Sequence, residues 1–385
     1  MTRVEVNPRV LRWAVERSGK VESVERKFPM LRKWERGESQ PTLRQLEDLA
    51  RATATPFGYL FLEAPPEERL PIAHFRTLRD EPLRRVSPDL LETVYTLQRR
   101  QAWLREYLEG EGEEPLAYVR SAQLRDAPED VALRMRETLG LTEHWAKSQP
   151  TWTQALAELR NRMEGVGISV VSSGIVGNNT RRKLDPAEFR GFVLVDEYAP
   201  FVFVNGADGK AAQMFTLAHE IAHVWLGSSA AFDLRDLQPA EDATEQFCNR
   251  IAAEFLVPQE ELRQAWPSAR RDPERFQGLA RRFKVSELVV ARRALDLALI
   301  ARKEFFDFYN AYIESERRRA ARQAEGGNFY ATQNLRLGRR FAETLVRATL
   351  EGKVLYGEAF RLTGLYGRAF ERYAEALRAE ERREQ

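Results

Sequence analysis

Along most of the chain, apolar positions recur every three or four residues, the spacing of one face of a helix. "NPRVLRWAVERSG" (7–19) shows this first and predicts a helix that stops at Gly19. "LRQLEDLARA" (43–52) repeats leucine at the same spacing. Thr42, just after Pro41, is placed as its N-cap, with Gln45 three residues on as in a capping box, and Gly37 can close the helix before it. Residues 1–64 therefore predict a bundle of short helices, bounded by the polar, proline-rich "EAPPEERLP". Residues 65–150 continue with helical periods ("LLETVYTLQRRQAWLREYL", "PEDVALRMRETLG") and read as a helical connector without a chemical motif.

The period changes after residue 150. "TWTQALAELRNRMEGVG" predicts a helix capped at Thr151 or Thr153. "ISVVSSG", "FRGFVLVD" and "PFVFVNG" are short β-rich runs, the last two joined by "EYA" as in a hairpin. Helices are expected at 210–227 and at "EDATEQFCNRIAAEFLVP", which Pro258 stops. The order helix, strands, helix, helix defines an α+β domain at 151–262. A helix, tight turn, helix pattern at 263–300 follows, then a helical extension, 301–385, in which "ESERRRAARQAEGGN" reads as a solvated helix end and loop. "YGEAFRLTGLYGRAFERY" has a faint helix-turn-helix flavour, and no internal repeat is read along the chain. The expected fold is mostly α with one small α+β domain, an N-terminal helical bundle and a helical C-terminal extension.

Composition narrows the class. No apolar run approaches the roughly 20 residues that cross a bilayer, and "MTRVEVNPRV" lacks a signal-peptide core, so a cytoplasmic location without membrane contact is expected. A single cysteine, Cys248, excludes an internal disulfide and suits a reducing compartment. Net charge is +2. Residues 1–60 hold 12 Lys/Arg against 8 Asp/Glu and residues 301–385 hold 17 against 13, so both ends are mildly basic. That permits nucleic-acid contact without requiring it.

Two of the four histidines stand in "FTLAHEIAHVWLG" (215–227). His219 and His223 are four residues apart and share one helix face, where both imidazoles can reach a single ion. Glu220, between them, suits a general base. Composition alone would place such a triplet in well under about one chain in a hundred. Buried polar groups on so apolar a helix need partners. A catalytic zinc site takes three protein ligands and keeps one position open. The next helix offers Glu245, with Glu241 as its rival, and Asn249 one turn after Glu245 can accept the His219 N–H. Cys248 reads as a small core residue, and His74 and His144 as structural or surface residues. Two imidazoles and a carboxylate suit Zn2+, with Mn2+ or Fe2+ as alternatives. "PFVFVN" is open to two readings, an edge strand that pairs with an extended substrate or a plain core strand.

"GKAAQMFTLAHEIAHVWLG" and "EQFCNRIAAEFLVP" resemble the ImmA/IrrE family of metallopeptidases, and "LARRFKVSELVVARRAL" looks like the helix-turn-helix-like segment after that family's peptidase core. The resemblance covers 151–300 well. It implies a zincin-like metallopeptidase domain with a thermolysin-like site, metal on His219, His223 and Glu245, and Glu220 as catalytic base. "GGNFYATQNLRLGRRFAETL" looks like the C-terminal extension of longer members. "LRWAVERSG", "KWERGESQPT" and "LEDLARATATP" resemble an XRE-type helix-turn-helix. Fewer residues separate Gly19 from Gly37 than in such domains, so the turn before the recognition helix is expected to be short. Arg32, Lys33 and Arg36 are then the candidate DNA contacts, to bases or to phosphate alone. Family members act as regulatory proteases that cleave a repressor, often itself of XRE type, in stress, phage or mobile-element programmes, and some pair with a toxin. The competing class is a DNA-binding regulator or antitoxin-like binding protein without proteolysis.

Overall fold

The computed structural model describes residues 3–68, 86–228, 230–232, 243–320 and 329–384. His74, Glu241 and residues 321–328, part of the stretch read as a solvated helix end and loop, lie outside the described residues. Within them, one compact unit comprises 3–68, 86–96 and 180–183, and a second comprises 97–179 and the described residues from 184 onward.

In the first unit, local signals set four short helices: α1 (Pro8–Arg17), α2 (Val21–Lys27), α3 (Leu31–Glu35) and α4 (Leu43–Thr53). Asn7 caps α1, with Pro8 at its first position. The capping box forms at α4: Thr42 Oγ1 accepts from Gln45 N–H at 3.3 Å, and Gln45 Oε1 accepts from Thr42 N–H at 2.8 Å. Gly37 follows α3 at φ +72°, a left-handed conformation that glycine takes without strain. Val10, Leu11, Leu31, Trp34, Leu46 and Leu49 form the core. Residues 28–30 separate α2 from α3.

Next in the chain come α5 (Pro88–Gly110), α6 (Pro128–Thr138), α7 (Trp145–Ser148) and α8 (Trp152–Gly165). Thr151, not Thr153, caps α8 by accepting from Gln154 N–H. Strands β1 (Ser169–Ser173), β2 (Ile175–Val176), β3 (Asn179–Lys183), β4 (Gly191–Leu194) and β5 (Phe201–Asn205) precede α9 (Lys210–Leu226), β6 (Ala230–Phe232) and α10 (Ala243–Leu256). Then follow α11 (Gln259–Ala269), α12 (Arg275–Phe283), α13 (Glu287–Asp296), α14 (Arg302–Ala320), α15 (Phe329–Leu337), α16 (Arg339–Leu350), α17 (Tyr356–Thr363) and α18 (Arg368–Glu384). The fold is mostly helical with one small mixed sheet in the second unit.

That sheet has the order β1-β5-β4-β6. β1 runs parallel to β5, with Ser169 opposite Phe201, while β4 is antiparallel to both β5 and β6. The edge-strand reading of "PFVFVN" is overturned here. β5 is interior, its backbone paired on both sides, and all five residues are buried. The physical sign was its continuous apolar run, the signature of a strand covered on both faces.

α9 packs on β4, β5, α8 and α10, and α10 also packs on α6. Residues 97–150, read as connector, belong to this second unit. Backbone N–H groups of Arg120 and Ala122 donate to the carbonyls of Val224 and Trp225 at 3.1 and 2.9 Å, capping the C-terminal end of α9. Tyr118 stacks on Trp225. α15 and α16 pack against β1, the strand at that edge of the sheet.

Candidate metal centre

α9 is buried all round from Gln213 to Trp225, because its sequence is apolar on every face except at the two histidines, Glu220 and a few small polar residues. His219, Glu220 and His223 are fully buried. Glu245 rises toward them from the first turn of α10. His219 Nε2 lies 3.1 Å from His223 Nε2 and 3.1 Å from Glu245 Oε2, and His223 Nε2 lies 3.3 Å from Glu245 Oε1.

The outer nitrogens are also held. Asn249 Oδ1 lies 3.1 Å from His219 Nδ1. An amide oxygen only accepts, so the proton of a neutral ring sits on Nδ1 and Nε2 turns its lone pair inward. Ser228 Oγ lies 3.0 Å from His223 Nδ1. It reaches there because Gly227, at φ +79°, turns the chain back over the end of α9.

Burial pushes the His219 imidazole toward its neutral form, against the pull of Glu245. Burial alone would raise Glu245, but hydrogen bonding and attraction from both histidines outweigh it and hold that carboxyl well below the usual carboxylate range. A neutral ring and an ionised carboxylate are the states that metal ligation uses. An inward lone pair and a carboxylate at this separation repel unless a cation or proton lies between them. Burial, with the Glu245 charge adding to it, pushes Glu220 well above its ordinary value. Both Glu220 oxygens are buried and make no hydrogen bond among the described residues.

These donors fit a divalent ion. A tetrahedron with metal–ligand bonds of about 2.0–2.1 Å has edges of about 3.3–3.4 Å. The two imidazole Nε2 atoms are 3.1 Å apart, close to such an edge, and each has one of the two Glu245 oxygens at 3.1 or 3.3 Å, so the carboxylate faces both rings. Among the described residues His219, His223 and Glu245 are the group of metal-ligating side chains that meets this way.

Of the residues singled out from sequence, the fold brings together His219, Glu220, His223, Glu245 and Asn249. Cys248 is buried in the core, and His144 pairs with Glu261 away from the centre. Arg32, Lys33 and Arg36 are exposed on or just after α3, which has five residues and is about 7.5 Å long. Arg32 pairs with Glu25 at 3.3 Å and Arg36 with Glu38 at 3.6 Å, so that surface is mixed in charge.

Sequence reasoning missed Ser228 and Gly191. A Cβ built at Gly191 would come within 2.5 Å of Thr216 Cγ2, 2.8 Å of the Phe203 carbonyl oxygen and 3.2 Å of Glu220 Oε1. A glycine inside a strand pattern signals such close approach, and the Gly-Ser pair after α9 signals the chain reversal.

Residues 163–295 match the family model described as the IrrE N-terminal-like domain, a peptidase family, and the whole centre lies inside the match. The similarity is to a metallopeptidase of the ImmA/IrrE type. Residues 337–376 match a second model, described as a domain of unknown function (DUF8813). Neither match reaches residues 1–64. No curated protein matches the chain.

Proposed function

We propose that the chain is a zinc-dependent regulatory endopeptidase. His219, His223 and Glu245 hold Zn2+, and Mn2+ or Fe2+ are the other ions such a donor set accepts. The observation that carries this reading is the convergence of two imidazole nitrogens and a carboxylate beside a buried carboxyl that has no hydrogen-bond donor among the described residues. A bound Zn2+ supplies Lewis acidity toward a water and a scissile carbonyl.

Glu220 receives the attacking water's proton on a carboxyl oxygen and hands it to the leaving amine. Its burial favours holding that proton, while a nearby dication draws its pKa back down. Asn249 and Ser228 are positioning residues that fix the two rings. The family resemblance points to a protein substrate, an XRE-type repressor whose cleavage switches gene expression in a stress, phage, mobile-element or toxin–antitoxin-like setting. The N-terminal bundle is assigned to recognition of DNA or of that repressor.

Elemental analysis combined with incubation against a repressor encoded nearby tests this. Wild type is expected to carry stoichiometric transition metal and to cleave. Glu220→Gln is expected to keep the metal and lose about 10²–10⁴-fold in cleavage rate. His223→Ala is expected to lose the metal. Wild-type protein without a transition metal would sink the centre, and cleavage at full rate by Glu220→Gln would sink the base. A metal-loaded protein that binds the repressor without cutting it would favour the non-proteolytic regulator.

A further inference from the structure

The segment after α16 plays no part in the metal centre. In it the pattern Leu-Tyr-Gly-x-Ala-Phe stands twice, at 355–360 and 365–370, a repeat too short to mark a duplicated domain. The two copies fold differently. In the first, Tyr356 opens α17 and Gly357 is helical. In the second, Gly367 sits in a turn at φ +51° and α18 begins at Arg368. With Gly364 at φ +69°, the result is an eight-residue helix, the turn 364–367 and a seventeen-residue helix.

Ala359, Leu362, Thr363, Leu365, Phe370 and Tyr373 are buried and fix the inner face of this pair. Asn178 Nδ2 donates to the Gly364 carbonyl at 3.2 Å and anchors the turn. The outer face is of another kind. Tyr366 is 66% exposed. Arg361, Arg368 and Arg372 are exposed and form no ion pair among the described residues. A Cβ at Gly367 would meet nothing within 4 Å, and Ala369 is small and exposed, so the backbone is open to close approach there.

We propose that α17, the turn and α18 form a helix-turn-helix that binds duplex DNA, with Tyr366, Arg368 and Arg372 entering the major groove and Arg361 on phosphate. This arrangement delivers the N-terminal residues of its second helix to base edges, and these carry unpaired guanidiniums. A helix face built to dock on a protein would show an apolar stripe at three- and four-residue spacing. The outer side of α18 has Arg368, Ala369, Glu371, Arg372, Glu375 and Arg378 instead. Glu371 repels phosphate but accepts from cytosine N4, so it shapes sequence preference rather than affinity.

Fluorescence anisotropy of the full chain with a labelled random-sequence duplex, between about 50 and 200 mM salt, tests this. Wild type is expected to bind, more weakly as salt rises. The triple variant Arg361→Ala, Arg368→Ala, Arg372→Ala is expected to lose at least about tenfold in affinity and up to about 3 in the log–log salt slope. The single Arg368→Glu, at an exposed site, is expected to weaken binding with unchanged circular dichroism. The parallel triple Arg32→Ala, Lys33→Ala, Arg36→Ala is expected to leave a duplex-binding component that the C-terminal arginines account for. No duplex binding by wild type at the low salt overturns the proposal. So does a C-terminal triple variant with unchanged affinity and slope, or arginines required only for capture of a protein partner.

Discussion

Gly191 shows how one missing side chain sets the space around Glu220. The strand β4 approaches α9 so closely that an added Cβ meets a methyl at 2.5 Å and a backbone carbonyl at 2.8 Å. The methyl of Thr216 can turn, but the Phe203 carbonyl belongs to the sheet ladder and cannot move alone. Gly191→Ala is therefore expected to lower stability by about 1–3 kcal/mol through overpacking, read as a lower urea midpoint. An unchanged midpoint would mean that β4 and α9 are not in this contact. The approach was signalled by a glycine within a β-rich run, but which atoms it meets depends on a helix 25 residues later. Ser228 is a similar case: its place after a helix-ending glycine was readable, its contact with His223 was not.

Elements carry each other's ends in this fold. The carboxyl of Glu164, at the end of α8, accepts from the backbone N–H of Arg339 at 2.8 Å and of Val170 at 3.3 Å, and so caps α16 from 175 residues away. Burial pushes this carboxyl up to about 7, although backbone amides of Val170, Arg339 and Arg340 pull it down. Its folded value lies above its ordinary 4.5, so the folded state binds the extra proton between them. The stability it contributes is full below about pH 4.5 and is lost as pH rises through about 7. Wild type is expected to lose on the order of 2–3 kcal/mol from this group between pH 5 and 8. Glu164→Gln should remove that part of the slope in urea titrations at the two pH values. Equal slopes for the two proteins would exclude the carboxyl as the source. Helices α4, α8, α9 and α10 were legible from period and caps, because those signals lie within a few residues of each other. A cap supplied from another element leaves no mark beside the helix it serves.

In the second unit, the C-terminal helices are part of the body that holds the sheet. α15 and α16 pack on β1, and Phe341 meets Phe201 of β5 edge to face. The guanidinium of Arg100 is buried, has no carboxylate partner among the described residues, and donates to the carbonyls of Arg336 and Leu362. Burial lowers its pKa to about 10. Deleting residues from 329 onward is expected to strip β1 of its cover and strand that cation without acceptors, which is costly in an interior. The truncated chain should aggregate or lose helix content, judged by size-exclusion chromatography and circular dichroism. A monodisperse product with undiminished order in the remaining residues would show that the sheet does not need the C-terminal helices. No helix among the described residues is long and apolar enough to cross a membrane.

By itself the sequence determined where helices run and that His219 and His223 share one helix face beside Glu220, since a spacing of four residues needs only the helix to act. It also offered Glu245 and Asn249 one turn apart, as third ligand and as acceptor for the His219 N–H, with Glu241 as a rival to Glu245. Tertiary structure decided that α10 brings that pair to the imidazoles, that β5 is interior, and that residues 97–150 cap and flank α9. The reason is that periodicity encodes which face of an element is apolar, whereas the partner for that face is chosen by packing among elements far apart in the chain.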